Sequence, residues 1–440
     1  MALSGLDIYK LLPKTNCREC GFPTCLAFSM QLAKKTIALD KCPYLTPQAK
    51  QILEASSLPP IKLITVGSGE NALSVGNETV MFRHEEKFYH PTGIGFILDD
   101  NDLNIGEKIQ KINKIKFQRI GQELRPDLVA LRQVQNKEKF IEALKIILNI
   151  SELNLVLISS DVTALKEALM LCVSKKPLIY AATKTNYVDL AKLALEFKVP
   201  LAVSAENLND LAELASLINK LGMNDLVLDL DQKILSEKIF NLTQTRRQAL
   251  KKNNRLFGYP TINIVEGSNS YENLMTASSL ICKYSSIVLL KEIQPEYVLS
   301  LLTLRQNIFT DPQKPLQIEP NVYSIGQTTK DSPVLITTNF SLSYYTVLGE
   351  VEASKIPSYL ISVDTEGMSV LTAWAAEKFT PEKISKSLEK FALRDKVKHN
   401  QLIIPGYVAI MSGDLEESSG WKVVVGPREA AGIPSFLKNL

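Results

Sequence analysis

The sequence predicts an α/β protein of several domains: a small N-terminal domain built round cysteines, a (β/α)8 TIM-like barrel, and a C-terminal Rossmann-like α/β domain. Three observations predict it. Four cysteines crowd into the opening segment, eight short apolar runs recur from residue 94 onward, and further strand-like runs alternate with helical segments after a proline-punctuated stretch. At 440 residues, with 45% hydrophobic and 22% charged side chains, the chain has the composition of a globular protein of about three domains.

The cysteines Cys17, Cys20, Cys25 and Cys42 are spaced C-x2-C-x4-C-x16-C, and Pro43 follows the last. Four thiolates in a short segment suit a cubane iron–sulfur cluster or a structural zinc equally well by number. A single C-x2-C extended by a third cysteine and closed by a distant Cys-Pro matches ferredoxin-like ligation better than paired zinc knuckles, although zinc stays open on spacing alone. Disulfides are a poor reading, since six cysteines in so long a chain staple nothing; Cys172 and Cys282 read as small buried hydrophobes. Thr24 is placed to cap a helix through Leu26, Met30 and Ala33, with Cys25 in its first turn, where free N–H groups favour thiolate. Ser4 is placed to start a shorter helix carrying Leu6, Tyr9 and Leu12, ended by Pro13. Residues 1–50 hold Lys10, Lys14, Arg18, Lys34, Lys35, Lys41 and Lys50 against Asp7, Glu19 and Asp40. That leaves +4, more than the +3 of the whole chain. The excess suits an anionic cluster or an acidic docking partner, or is a solvated face.

Leu58-Pro59-Pro60 reads as a hinge, followed by an antiparallel lead-in of two strands, Lys62 to Val66 and Thr79 to Arg83. Between them, Gly67 to Ala72 imitates a dinucleotide fingerprint, but no helix follows it, so it reads as a loop. The eight apolar runs are 94–98, 128–131, 155–158, 178–181, 201–203, 226–230, 262–265 and 287–290. Their starts lie 23 to 36 residues apart, room for one helix each, and the gaps show helical spacing, as in Leu190, Leu193, Ala194 and Phe197. Buried parallel strands alternating with amphipathic helices close into a barrel at eight units, with an open doubly wound sheet as the alternative. Asp99, Asp161, Thr183 and Glu266 then fall on the rim beyond the strands.

Prolines 312, 315, 320 and 333 mark a linker, and a third domain follows. Its expected strands are 334–338, 359–363, 401–404, 407–411 and 422–425, with a helix from Ser341 to Ala353. Ligands of open α/β sheets bind beyond the carboxyl ends of the strands. The boundaries are thus 1–58 for the cysteine domain, 59–312 for the barrel with its lead-in, 313–333 for the linker and 334–440 for the last domain. No apolar run is long enough to span a membrane and no secretory signal opens the chain, so a cytoplasmic home is expected. Fifty basic against 47 acidic residues, without basic runs, gives no support for nucleic-acid binding.

The stretch Cys17-Arg18-Glu19-Cys20-Gly21-Phe22-Pro23-Thr24-Cys25 with Cys42-Pro43, the barrel, and a last domain opening Thr337-Thr338-Asn339-Phe340 resemble the large (gamma) subunit family of the corrinoid iron–sulfur protein of acetyl-CoA decarbonylase/synthase systems. The resemblance runs over the whole chain. It implies a methyl carrier: cobalt in a base-off, cobalamin-type corrinoid takes a methyl group, as Co(I), from a methyltetrahydrofolate-type pterin and delivers it as methyl-Co(III) to acetyl-CoA synthase. A 4Fe-4S cluster on the four cysteines returns stray Co(II) to use. Implied partners are a small subunit completing a heterodimer, a methyltetrahydrofolate methyltransferase, acetyl-CoA synthase and a reductive activator; the chain is the methyltransferase component of that system. The resemblance also implies that Gly367, Met368, Ser369, Val370, Leu371, Thr372 and Ala373 lie under the corrin ring, with Thr372 the nearest hydroxyl. Thr337, Thr338, Asn339, Phe340, Thr346, Ala431 and Gly432 contact its side arms, whereas Leu342, Tyr345 and Leu348 read as core. His84, His90 and His399 sit in no D-x-H-x-x-G setting, which disfavours a histidine ligand to cobalt. The barrel lacks an acid–base constellation and reads as a scaffold. An iron–sulfur electron-transfer enzyme with substrate in the barrel, and a zinc-stabilised scaffold protein, are the alternatives.

Overall fold

The computed structural model describes residues 5–33, 37, 39–50, 53, 59–230, 232–314 and 316–440. The helix start at Ser4, Lys34 and Lys35 of the basic count, Leu58 of the hinge and Pro315 lie outside them. The chain forms two compact units: residues up to Lys116 together with Arg125–Phe309, and Phe117–Leu124 together with Thr310–Leu440.

In the first unit all eight apolar runs are strands. They form one parallel sheet in the order Leu226–Leu230, Leu201–Ala205, Leu178–Ala182, Asn154–Ile158, Leu128–Arg132, Gly93–Asp99, Ile287–Leu290, Ile262–Val265. A parallel bridge from Leu228 to Thr261 joins the two ends, so the sheet is a nearly closed barrel rather than an open one. Burial on both sides explains the continuous apolar runs. The intervening helices turn one stripe inward, as Leu190, Leu193 and Ala194 do from Tyr187–Phe197. The amino-terminal end is plugged by an antiparallel hairpin, Ile64–Val66 with Leu73–Val75, whose Ile64, Val66 and Val75 join the barrel core. The loop between them, Gly67 to Ala72, carries only a short 3-10 turn.

The expected strand from Thr79 to Arg83 is absent, and its backbone shows why. The Val80 carbonyl is taken by Arg246, and the N–H groups of Met81 and Phe82 donate to the Glu85 carboxylate, both at 3.2 Å. Side chains thus take three backbone groups that a neighbouring strand would need. Arg246 is the rivet: buried, it lies 4.8 Å from the Phe88 ring centre and 4.6 Å from that of Tyr284, with Glu78 at 3.6 Å. Burial pulls the guanidinium's pKa down while Glu78 opposes the shift.

The second unit is a five-stranded sheet ordered Val322–Ile325, Ser358–Val363, Val334–Thr338, Gln401–Ile404, Lys422–Val425. The first strand is antiparallel and the other four are parallel. Alternate residues feed two cores. Ile336, Ile361 and Leu402 pack beneath Ile384 and Leu388 of Pro381–Lys390 and Leu415 of Ser412–Ser419. Leu335, Leu360 and Ile403 pack beneath Tyr344 and Val351 of Ser341–Ser354 and Leu437 of Ile433–Lys438.

The structure corrects three further expectations. The stretch 313–333 is no linker: Ile318 and Ile325 are buried, and Pro320 stands just ahead of an edge strand, where a missing N–H is tolerated. The run 407–411 is not a strand: Gly406–Met411 forms 3-10 turns interrupted by a kink at Val408, with Gly406, Val408 and Met411 buried. Cys282 is exposed at the end of Ser270–Cys282, turned away from buried Leu280 and Ile281; Cys172 is buried as expected.

Replacing Arg246 with alanine removes the rivet and strands Glu78, and should cost about 3–5 kcal/mol of stability in guanidinium unfolding, with Arg246→Lys recovering part of the loss.

Candidate functional site

The cysteine module is built on two packed helices, Gly5–Leu11 and Cys25–Ala33. Their core is Ile8, Leu12, Cys25, Phe28 and Leu53, with Cys20 and Cys42 at its margin. Between the helices the chain winds through left-handed residues, Lys14 (φ 59°), Asn16 (49°), Arg18 (66°) and Gly21 (84°), which coil the segment carrying Cys17 and Cys20. Asn16 Oδ1 accepts the Cys25 N–H at 2.8 Å, and Thr24 Oγ1 accepts the Ala27 N–H at 3.0 Å, so Thr24 caps the helix as its sequence position predicts. Cys42 comes from a separate segment. Tyr44, two residues on, donates its hydroxyl to Glu19 Oε1 at 2.7 Å and ties that segment to the loop. Burial pushes the Cys42 thiol up, and Cys20, Cys25 and Cys17 add to the shift. Among the described residues no three metal-ligating side chains close on one point to grip a single ion.

A second site lies in the C-terminal sheet. The strands Val334–Thr338 and Gln401–Ile404 are neighbours whose following connections turn to opposite faces, and a cleft of about 380 Å³ opens there. Its floor is aliphatic: Leu335, Ile336, Ile403, Ile404 and Ile433. Polar atoms come from Thr337, Ser343, Thr346, Ser369 and Tyr407, and Arg428 is the charged residue of the lining. The Thr337 hydroxyl is buried without a partner, as are those of Thr338 and Ser362 beside it. Leu342, Leu371 and Tyr407 line the cleft while 66%, 46% and 44% exposed, so its mouth is apolar and open. Tyr407 donates its hydroxyl to Glu429, which holds its pKa above the usual range.

Of the residues expected around a ligand, Thr337, Phe340, Thr346, Ser369, Val370 and Leu371 line this cleft. The others take supporting places. Asn339 is a peg: its Oδ1 accepts the Thr365 N–H (2.9 Å), the Thr365 hydroxyl (2.9 Å) and the Gly367 N–H (3.0 Å), fixing the loop that leads to Ser369. Gly367 has φ 75°, and a Cβ there would meet Gln317 at 2.7 Å. Met368 and Ala373 pack into the core, Thr372 is exposed and bonds Ser369 at 3.0 Å, and Gly432 abuts Pro427. Ala431 is exposed between lining residues Ala430 and Ile433. Leu342, read as core, belongs to the lining instead; Gly426 lies at a strand end where a ligand is expected, and Pro405, Pro427 and Arg428 were not anticipated. The signal for them was the Pro-Gly and Gly-Pro pairs directly after two strands, a turn signature at the end where ligands bind.

On the barrel rim, Asp99 and Glu266 share Arg132 (both 2.7 Å), and Lys291 reaches Asp99 at 3.1 Å. Burial opposes it, yet hydrogen bonds from Arg132 and Lys291 hold the Asp99 carboxyl below its usual range. Asp161 caps Val162–Cys172 and Thr183 closes a turn on Asn186.

The chain is 46% identical over its whole length to the corrinoid/iron-sulfur protein large subunit of Moorella thermoacetica, of which it covers 99%. The chain belongs to that large-subunit family. It is 35% identical to the acetyl-CoA decarbonylase/synthase complex subunit gamma of Methanothermobacter thermautotrophicus, covering all of this chain and 99% of that one. A family model for the CO dehydrogenase/acetyl-CoA synthase delta subunit matches residues 63–437, and another, named for an Fe-S cluster, matches residues 12–44. The second takes in all four cysteines. Among solved structures, dihydropteroate synthase of Thermus thermophilus aligns with 56% of this chain and all of its own at 12% identity and a TM-score of 0.39.

In this family member, Asn339→Leu should remove five side-chain hydrogen bonds, three accepted by its Oδ1 and two donated to Gln317 and Asp364, and weaken the C-terminal unit by about 2–4 kcal/mol. Amide exchange at residues 364–369 should rise well before that in the barrel strands.

Proposed function

We propose that this chain is a methyl carrier, holding an iron–sulfur cluster on Cys17, Cys20, Cys25 and Cys42 and a corrinoid at the C-terminal cleft. One observation carries the reading. A four-cysteine segment and an apolar switch-point cleft with unpartnered hydroxyls occur together in a chain that matches, end to end, a relative named for both groups. When bound, a corrinoid supplies a cobalt that accepts and releases a methyl group, and the cluster supplies the electron that restores oxidised cobalt.

The residues suit these tasks. Aliphatic side chains on the cleft floor exclude water from a large flat ligand, and Thr337 has a hydroxyl free for one of its polar arms. Asn339 holds the 364–369 loop in place, so Ser369, Val370 and Leu371 present a fixed wall. None of the histidines lines the cleft: His84 stacks on Phe82, His399 bonds Ser332 and Gln401, and His90 lies in the barrel lead-in, where its backbone N–H donates to Glu78. The sheet order, with four parallel strands and helices on both faces, supports reading this unit as Rossmann-like.

Within this reading the chain acts in the cytoplasm as the large half of a heterodimer with a small subunit. It takes methyl groups from a methyltetrahydrofolate-type donor through a separate methyltransferase, gives them to acetyl-CoA synthase, and depends on a reductive activator. The barrel serves as scaffold, consistent with rim charges that neutralise one another in Asp99, Arg132, Glu266 and Lys291.

Anaerobically purified protein should show a corrin absorption band over a broad iron–sulfur shoulder; a colourless protein containing zinc overturns the proposal. Cys42→Ala should abolish reductive reactivation while chemically reduced protein still accepts methyl groups. Equal loss of both activities would count against separate roles for cluster and cleft.

A further inference from the structure

The chain leaves the barrel unit at Lys116 and returns at Arg125, and the eight residues between fold with the C-terminal unit. They form a hairpin, Phe117–Arg119 with Gln122–Leu124, turned by Ile120 and Gly121 at φ 57° and 72°. A two-residue turn with both central residues left-handed calls for Asn-Gly. Isoleucine is among the residues least suited to that conformation, because its branched Cβ crowds the backbone. An unfavourable residue at a turn persists where its side chain is needed.

Here the side chain is an anchor. Ile120 is 5% exposed and joins the core cluster containing Tyr344, Val351, Ile318 and Ile433. Its N–H donates to the Tyr345 hydroxyl at 3.2 Å. Gly121 lies so close to Tyr323 that a Cβ would come within 2.4 Å of the phenol oxygen, and Tyr323 in turn packs edge-on against Tyr344 at 5.1 Å. All of these contacts bear on the helix Ser341–Ser354. The same helix gives Leu342, Ser343, Thr346 and Val347 to the cleft lining.

We infer that the Ile120 hairpin is a positioning device for the cleft: it holds the Ser341–Ser354 wall from behind, with Ile120 as anchor and the Tyr345 hydroxyl setting register. This inference rests on the cleft being the corrinoid site. Ile120 and Tyr345 touch no ligand and act through the helix. Along the chain, the hairpin is preceded by Lys116 and followed by Arg125, both of the barrel unit.

The test uses full-length Ile120→Asn, which suits the turn but removes the anchor, Tyr345→Phe, and Ile120→Val as the conservative control. Two quantities are read: amide exchange over residues 341–354 without ligand, and affinity for hydroxocobalamin by absorbance titration. Ile120→Asn should speed exchange in that helix while strand 401–404 stays protected, and should weaken hydroxocobalamin binding about tenfold. Tyr345→Phe should give a smaller shift of the same kind, and Ile120→Val should match the parent. Unchanged exchange and affinity in Ile120→Asn overturn the inference; if that variant unfolds, an unchanged Tyr345→Phe overturns it instead. Failure of the parent chain to bind hydroxocobalamin at all would refute the corrinoid site, and the exchange measurement would still decide whether the hairpin positions the helix.

Discussion

The C-terminal unit depends on a divergence. Val334–Thr338 and Gln401–Ile404 lie side by side in the sheet, but the chain leaves the first toward the face of Ser341–Ser354, whereas Pro381–Lys390 and Ser412–Ser419 cover the other. Right-handed crossover connections force that separation once strands are added on both sides of a central one. No helix can cover the gap, so it stays open as the cleft. Everything around it manages the consequence. Asn339 satisfies the backbone of the loop that crosses the opening, Gly406 lets its chain press against Gly426 and Arg428, and the hydroxyls of Thr337 and Thr338 are left without partners. A buried hydroxyl without a partner costs stability, so it marks a place where folding alone does not settle the structure.

The cysteine module solves a different problem with less material. Its core of a few buried side chains offsets little of the entropy of ordering the winding loop, and several of that loop's residues sit in left-handed conformations that L side chains avoid. Ligation of a metal by the module's cysteines, as proposed, would resolve the shortfall, because metal–thiolate bonds formed only in the folded arrangement become folding energy. The Asn16 and Tyr44–Glu19 bonds secure the two ends of the ligand set, which come from segments far apart in the chain. The module's two sequence signals, cysteine spacing and the Thr24 cap, were legible for this reason: both depend on neighbours along the chain.

The barrel was legible for the same kind of reason. Doubly buried strands are apolar throughout, and the gaps between them have room for a helix each, so each of the eight runs became a strand. Where the reading failed, a tertiary partner had replaced a local one. Arg246, from far along the chain, takes the Val80 carbonyl that a strand would have used. The proline-marked stretch 313–333 looked like a linker because its strand has only one neighbour, and edge strands tolerate the residues that end central ones. The hairpin at 117–124 left no trace, since Ile-Gly replaces the Asn-Gly that would have announced a turn.

The two candidate sites differ in how residue type relates to chemistry. A cluster is held by one kind of side chain, so Cys17, Cys20, Cys25 and Cys42 could be named from spacing. The cleft is held largely by shape: aliphatic side chains on its floor and backbone on its far wall at Gly426 and Pro427. Any apolar residue of suitable size serves such a surface, and the residues that matter are those fixing the backbone behind it. Asn339 does so for the loop at one side. That explains why the four-residue opening Thr337-Thr338-Asn339-Phe340 was informative although only Thr337 and Phe340 line the cleft. The asparagine between them keeps the site in place, and the sequence signature of a shape-selected cofactor site lies in such pegs rather than in its contacts.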